Sequence, residues 1–586
     1  MRIFFELGWF FKQEKYRYLM GIVFLIVSSF LSLVPPYAVG VLVDRMRTRT
    51  MTAAVLGEWI GLLVLVGIIY YITGYVWRQM IFGTAQQLGR QLRRSLYRHF
   101  TQLSPSFYQQ HRIGDLMAHA TNDVNAVQGA AGDGILTLVD SLTMGGMVIV
   151  TMVTLISWKL TVVALLPMPI MAVLTMHYGN LLHDRFGKAQ AAFSDLNDEV
   201  QESVSGIRVI KAFGEEEAQI ESFRRASADV VDKNVEVAKI DALFDPTITL
   251  VVAASFFLAL IVGGFGVVHG SLSLGQLTSF TLYLGQLIWP MLAFGFLFNT
   301  VERGSASYDR IRRLLAVKPT IVDRPGASAH VPSGDIHYDL PNFSYNNSSV
   351  PALREVAFTL PRGGTLGVVG KTGAGKTTLL RLLLREFDLQ KGKITIGGLG
   401  IQEVTLDALR SAIGYVPQDH VLFSATIGEN IAFARPQATQ EDIERAARLA
   451  SIHADILQFP DGYETIVGER GVTLSGGQKQ RISIARALLA DPEILIFDDS
   501  LSAVDARTET AILQALKQER QHKTTLIVAH RLSAVEHADL ILVMKEGTIA
   551  ERGTHSQLLA RGGWYADMHE RQQLEELVAE GGRSRD

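Results

Sequence analysis

The sequence predicts a membrane-embedded α-helical domain of six spans followed by a soluble α/β domain, and three observations carry that reading. Hydrophobic residues make up 48% of the 586-residue chain and the mean hydropathy is +0.20, high for a soluble protein. The apolar excess lies before about residue 300, in runs that reach the roughly 20 apolar residues a bilayer core demands. From Ile336 the pattern changes to short β-rich runs separated by helices, one of which delivers a glycine-rich loop.

A chain of this length exceeds what one hydrophobic core organises. Residues 1–316 are assigned to the membrane half, 317–333 to a linker with three prolines, 334–571 to the α/β domain and 572–586 to a charged tail expected to fray. The formal net charge of -3 gives no basic domain or stripe, so nucleic acid is not an expected partner. The absence of cysteine excludes disulfides, thiolate catalysis and thiolate metal ligands. Met1-Arg2-Ile3-Phe4 leads through Lys12, Lys15 and Arg17 into an apolar run without a cleavage pattern, as expected of a retained first helix.

The spans fall at roughly 18–40, 59–81, 134–157, 160–182, 246–268 and 276–299. They pair through short loops, Asp44 to Glu58, Trp158-Lys159 and His269 to Gly275, whereas 83–133 and 183–244 are long and polar. Those two segments carry Arg90, Arg93, Arg94, Arg98 and Arg112, then Arg185, Lys188, Arg208, Lys211, Arg224 and Arg225. The positive-inside bias therefore puts them, and both termini, in the cytoplasm. Apolar positions recur in them at helical spacing and no breaker cluster separates Trp77 from Leu96, so the membrane helices are expected to continue past the bilayer. Turns are expected at His111 to Asp115 and around Gly206-Ile207-Arg208. Pro35, Pro36, Pro167, Pro169 and Pro290 fall within spans, as hinges or as static bends.

In the second half, Thr365 to Val369 reads as a strand, Gly370-Lys371-Thr372-Gly373-Ala374-Gly375-Lys376-Thr377 as the loop it delivers, and a helix begins near Lys376. This is a phosphate-binding loop in its strand-loop-helix context. Its backbone N–H groups surround phosphates, Lys376 neutralises the β and γ oxygens, Thr377 ligates Mg2+ and the helix N-terminus adds its dipole. Thr378 follows on the helix and joins the ATP-binding set. A distant run, Ile494-Leu495-Ile496-Phe497-Asp498-Asp499, is a buried strand ending in two carboxylates, the first of which can hold the metal through its shell.

Leu474-Ser475-Gly476-Gly477-Gln478, ahead of a helix expected over Gln480 to Leu489, resembles the signature of ATP-binding-cassette (ABC) proteins. The resemblance implies a sandwich of two chains around ATP, in which Ser475, Gly476, Gly477 and Gln478 cap the γ-phosphate held by the opposite protomer. It also implies that Tyr345 stacks on adenine, that Gln418 links the metal to the membrane half, and that His530 contacts the γ-phosphate. Ser502-Ala503-Val504-Asp505 resembles the loop that crosses the dimer, and Val467-Gly468-Glu469-Arg470-Gly471 the export-type segment before the signature. With six spans ahead of one cassette, the whole chain is similar to exporter-type half-transporters of the bacterial inner membrane: six transmembrane helices fused to an α/β P-loop ABC ATPase domain. Gly114-Asp115-Leu116 with Asn122-Asp123-Val124, and Ile207 to Phe213, resemble the family's two intracellular coupling regions.

The family places Glu directly after the metal-binding Asp, whereas this chain has Asp499. The missing methylene withdraws the carboxylate by up to one C–C bond, ~1.5 Å, and a misplacement near 1 Å costs roughly a hundredfold in rate. ATP on this chain's own loop is therefore expected to be hydrolysed slowly, and the expected partner is a second ABC half-transporter carrying Glu at the matching position. A homodimeric lipid flippase and a nucleotide-gated channel share most of these motifs, whereas the spans argue against a soluble ABC ATPase. The spans hold few charges, Asp140 and Glu302 lying near their ends, which implies amphipathic or lipophilic cargo, whereas multidrug export is implied by the resemblance alone. Gln286, Asn299, Tyr70, Tyr71 and Trp289 either line a cavity or pack against lipid and neighbouring helices.

Overall fold

The computed structural model describes residues 2–345, 348, 350–468 and 473–583. It divides into a helical unit, Met1–Gln102 with His111–Lys318, and a cassette unit, Leu103–Gln110 with Pro319–Asp586.

In the helical unit, Ala53–Gln102 is one helix of 50 residues. At a rise of 1.5 Å per residue it is about 75 Å long, more than twice a hydrocarbon core of about 30 Å. Continuation past the bilayer thus needs no joint between Trp77 and Leu96, where the sequence offers no helix stop. The expected turns occur at His111-Arg112 and at Gly206, which ends the helix Met168–Ser205. Among the described residues, five helical stretches are long and apolar enough to cross a membrane: Lys15–Arg47, Ala53–Gln102, Ile113–Leu165, Glu216–Val268 and Leu274–Leu315. The expected spans at 134–157 and 160–182 are not separated as two of these. Ile113–Leu165 contains the first and enters the second, turning at Ser157, whose extended backbone (φ -164°, ψ 121°) and side chain cap a new helix. The path then breaks at Leu166-Pro167 before Met168–Ser205.

The prolines resolve into helix starts. Pro35 and Pro36 lie in the first turn of Val34–Arg47, Pro169 in that of Met168–Ser205 and Pro290 in that of Ile288–Leu315, where the missing N–H has no intrahelical partner to lose. Three carbonyls around the first break accept hydrogen bonds from one neighbouring helix, Leu274–Gln286. Tyr283 Oη donates to Leu33 O (2.7 Å), Gln286 Nε2 to Ser32 O (3.0 Å) and Ser279 Oγ to Pro36 O (2.9 Å). Gln286 therefore fastens this bend, which is how apolar surroundings tolerate a broken helix. Tyr70, Tyr71 and Trp289 are exposed on the unit, as is Asn299. The same helix pair approaches backbone to backbone, with Asp44 Oδ1 accepting from the Gly275 N–H (2.8 Å) and Asp44 Oδ2 from Ser273 Oγ.

The cassette unit holds a six-stranded sheet in the order Thr548–Gly553, Leu540–Lys545, Thr365–Gly370, Thr524–Val528, Ile494–Asp498, Ile413–Val416. Its strands are parallel except for the antiparallel Thr548–Gly553 edge. Ile494 and Ile496 join the apolar cluster on one face, Leu495 and Phe497 that on the other, so the strand is apolar without alternation. A second, antiparallel sheet, which the parallel α/β reading of the sequence does not include, is led by Ile336–Phe343 and Leu353–Leu360. These strands alternate buried and exposed residues, as half-covered strands do.

Three boundaries differ from expectation. The proline-bearing linker is fastened to the cassette: Ile321 is buried, Ser104 Oγ accepts from the Thr320 and Ile321 N–H groups (both 3.1 Å), and buried Arg385 donates to Val322 O (2.9 Å). Leu103–Gln110, with its short helix Pro105–Gln110, belongs to the cassette unit, whereas Gly114-Asp115-Leu116, read as the coupling region, belongs to the helical unit. The tail expected to fray from Gln572 continues the helix Trp564–Arg583, which is anchored by the fully buried Tyr565.

A Cβ on Gly275, in the first turn of Leu274–Gln286, would stand 2.0 Å from Gly40 O, whereas one on Gly264, within Phe244–Val268, meets nothing within 4 Å. Gly275→Ala is expected to destabilise the membrane half by about 1–3 kcal/mol through forced separation of the helices. Gly264→Ala is expected to be neutral or to stabilise by up to about 1 kcal/mol. Thermal unfolding of the two purified variants in one detergent checks the opposite signs.

Candidate active site

The strand Thr365–Gly370 leads into the loop and the helix Lys376–Leu383 leaves it. Gly370, Gly373 and Gly375 adopt φ of 146°, 81° and 98°. At Gly375 a side chain would also strike Leu353 Cδ2 (2.8 Å) and Ala352 O (3.0 Å), so glycine is required by space as well as by backbone. Lys371 and Thr372 are exposed on the loop and Ala374 is buried beneath it. Lys376 is buried and curls back, its Nζ donating to Gly370 O (2.8 Å) and Lys371 O (3.1 Å). Burial pulls the ammonium below the usual lysine range, and the carboxylates of Asp499 and Asp498 oppose that shift.

The structure joins the loop to the distant strand end. Asp498, 2% exposed, accepts from Thr377 Oγ1 at Oδ1 (3.1 Å) and from Tyr415 Oη at Oδ2 (3.1 Å). Burial raises its pKa, while the Tyr415 and Thr377 hydroxyls work against the rise. A hydroxyl and a carboxylate held side by side form the oxygen donor set that suits a hard divalent cation, so these residues fit Mg2+. Gln418 lies exposed two residues beyond the strand Ile413–Val416 and, among the described contacts, makes no hydrogen bond to Thr377 or Asp498. Tyr345 is half-buried, with its hydroxyl on Thr378 Oγ1 (2.9 Å) and its ring edge-on to Phe387 (5.0 Å).

Asp499 and His530 line one cavity with Leu501, Ser502, Glu509 and Arg531. The Asp499 N–H donates to Val528 O (2.9 Å), extending the sheet pairing by one residue, and its φ of 50° is left-handed. Ser502 Oγ donates to Asp499 O (2.9 Å). His530 is exposed, but its backbone is clamped by a residue that sequence reasoning left in the tail. Gln572 Nε2 donates to His530 O (2.9 Å) while its Oε1 accepts from the Leu532 N–H (2.9 Å).

The signature helix starts at Gly476, four residues earlier than expected. The reason was legible, because Ser475 and Gln478 form a capping box that satisfies the first-turn N–H groups. The helix is tied to the following loop, since Gln480 Oε1 accepts from the Ala503 N–H (3.1 Å) and a Cβ on Gly477 would meet Ala503 O at 3.0 Å. Asp505 caps its own helix, Ala506–Glu519, accepting from the Thr508 N–H (3.0 Å) and hydroxyl (2.7 Å), bonds that hold its carboxyl below the usual range. Of the export-type segment, Glu469, Arg470 and Gly471 lie outside the described residues.

Residues 18–291 match the family described as ABC transporter transmembrane region, and residues 353–502 that described as ABC transporter. The chain is 50% identical to the multidrug resistance-like ATP-binding protein MdlA of Escherichia coli K12, covering 100% of this chain and 99% of that protein. It is 48% identical to the probable multidrug resistance ABC transporter ATP-binding/permease protein YheI of Bacillus subtilis, covering 97% of each. A solved bacterial Atm1-family ABC exporter with ATP bound superimposes with a TM-score of 0.76 at 29% identity, covering 95% of this chain and 98% of that one.

Because the native pKa of Asp498 is raised by burial, its ionisation costs native stability. The cost is absent below the unfolded carboxyl pKa and fully present once pH passes the native value. Asp498→Asn, which stays neutral, is therefore expected to unfold at higher temperature than wild type near neutral pH, an advantage that disappears on acidification. Mg2+-dependent ATP hydrolysis by the same variant is expected to fall about a hundredfold or more. Melting curves across pH and phosphate release check both.

Proposed function

Because this chain belongs to the ABC transporter family, as an MdlA-like exporter with its membrane domain fused to its ATPase, we propose that it is the slow-hydrolysing half of a heterodimeric exporter. The general activity is ATP hydrolysis coupled to export, and ABC exporters work as dimers. What is proposed is the asymmetry, the cargo and the setting: amphipathic or lipophilic compounds leave through a bacterial inner membrane, with both termini of this chain cytoplasmic.

One observation carries the asymmetry: the residue after Asp498 is aspartate in a left-handed turn, pinned through its N–H to Val528. The pinned backbone cannot advance to make up for the missing methylene. Left-handed backbone also suits Asp better than most non-glycine residues, so the shorter acid sits without strain where it acts poorly. The capped Ser475–Gln478 turn is complete, and in the proposed dimer it serves the partner's nucleotide. Two copies of this chain would make two weakened sites, whereas a partner with Glu leaves one fast site.

The chain's own residues are assigned as follows. The loop from Gly370 to Gly375 and the helix start at Lys376, Thr377 and Thr378 bind the phosphates, with Tyr345 against the base. Thr377, Asp498 and Gln418 would hold Mg2+, which offsets phosphate charge when bound. Asp499 orients water, weakly, and His530 holds the γ-phosphate end of the same cavity. Asp505 positions the loop that follows Asp499.

Purified alone in nanodiscs, the chain is expected to release phosphate slowly, and Asp499→Glu to raise the rate tenfold or more. An unchanged rate in Asp499→Glu, or brisk turnover by the single wild-type chain, would overturn the weakened site. Co-purification from the native membrane is expected to bring down a second half-transporter with Glu at the matching position, and recovery of this chain alone would overturn the heterodimer.

A further inference from the structure

Away from the nucleotide site, three ligand-type side chains converge near the C-terminal end of the cassette. Glu536 follows the turn Leu532–Ala534, His555 opens the helix His555–Arg561, and His569 lies on Trp564–Arg583. One ligand atom from each lies within 4.8 Å of the others, and His569 Nε2 stands 3.5 Å from Glu536 Oε1. All three are half-buried. The two imidazole rings meet edge to face, with centroids 5.2 Å apart.

His569 and Glu536 are in direct contact, and His555 is held beside them by a separate partner. His555 Nδ1 is hydrogen-bonded to the hydroxyl of Tyr565 (2.8 Å), a fully buried residue on the same helix as His569. In the tautomer that donates Nδ1–H to that oxygen, Nε2 is the nitrogen left to ligate a metal. This is the outer-shell arrangement that fixes the tautomer of metal-bound imidazoles.

We propose that Glu536, His555 and His569 bind a divalent transition ion of the Zn2+ class, as a three-ligand set with a remaining position for water. Drawing ligand atoms onto bonds of ~2.0–2.2 Å takes only side-chain movement of the order of an ångström. The helix that carries His569 also carries Gln572, the clamp on the His530 backbone. The ion therefore ties the C-terminal helix to the segment that follows His530.

Tag-free full-length protein in nanodiscs, stripped with EDTA and kept without nucleotide, is titrated with Zn2+ in competition with a chromophoric chelator. Wild type is expected to take up one ion per chain that His555→Ala, His569→Ala and Glu536→Gln each weaken tenfold or more, with ATP binding retained as the check on folding. In wild type, Co2+ is expected to show the strong visible absorption of a four-coordinate histidine-carboxylate set. Zn2+ uptake no greater than that of the His555→Ala/His569→Ala double variant, or a Co2+ spectrum like that of the hydrated ion, would overturn the site.

Discussion

The hydrogen bond from the Asp499 N–H to Val528 O decides where the chemistry of this cassette can lie. It carries the parallel pairing of Ile494–Asp498 with Thr524–Val528 one residue past the strand end. Both strands are buried throughout, so neither can slide to suit a ligand. Asp498 is thereby aimed at Thr377 and Tyr415, while Asp499, turned left-handed, joins His530 in the next cavity. With the backbone held, side-chain length is the remaining variable at residue 499, and this chain takes the shorter acid.

The parts of the site that were legible in the sequence are those whose geometry is local. The phosphate loop announces itself because left-handed glycines and a following helix are written in consecutive residues, and Ile494–Asp498 because a doubly covered strand is apolar without alternation. Ser475 and Gln478 stand in a ligand-facing motif, yet their spacing is also a capping box, which accounts for the early helix start. Tyr415, Gln480 and Gln572 were missed for one reason: each acts across tens of residues, on Asp498, Ala503 and His530 in turn. Nothing near them in the chain records the partner. Gln572 was further disguised by a charged, glycine-containing neighbourhood that resembles a tail.

The membrane half shows the same division. Apolar length marked the stretches that can cross a membrane, five among the described residues, but whether prolines act as hinges could not be read from the prolines themselves. The answer lies on another helix, where Tyr283, Gln286 and Ser279 take up the carbonyls around Pro35 and Pro36. A bend held by three hydrogen bonds from a neighbour must lose them to move, each worth about 1 kcal/mol net in proteins. Motion of this half is therefore cheaper as displacement of whole helices, such as the uninterrupted Ala53–Gln102, than as flexing at that break.

That rigidity bears on what a slow site, as proposed, would do in an exporter. ATP drives a conformational change only through its difference in affinity for two states, and moving an equilibrium from 1:99 to 99:1 takes about 5.5 kcal/mol of such difference. Binding supplies that term, and hydrolysis removes it. On the proposed asymmetry, this chain's loop with Lys376 and Thr377 keeps its binding term through many cycles, while the partner's nucleotide, capped by Ser475 to Gln478, is bound and cleaved in each. Opening then requires the loss of one nucleotide's contribution, and the slow site keeps the stiff halves near contact instead of letting them separate fully. On that proposal a single methylene divides the roles, because the Val528 anchor holds the backbone of the shorter acid in place.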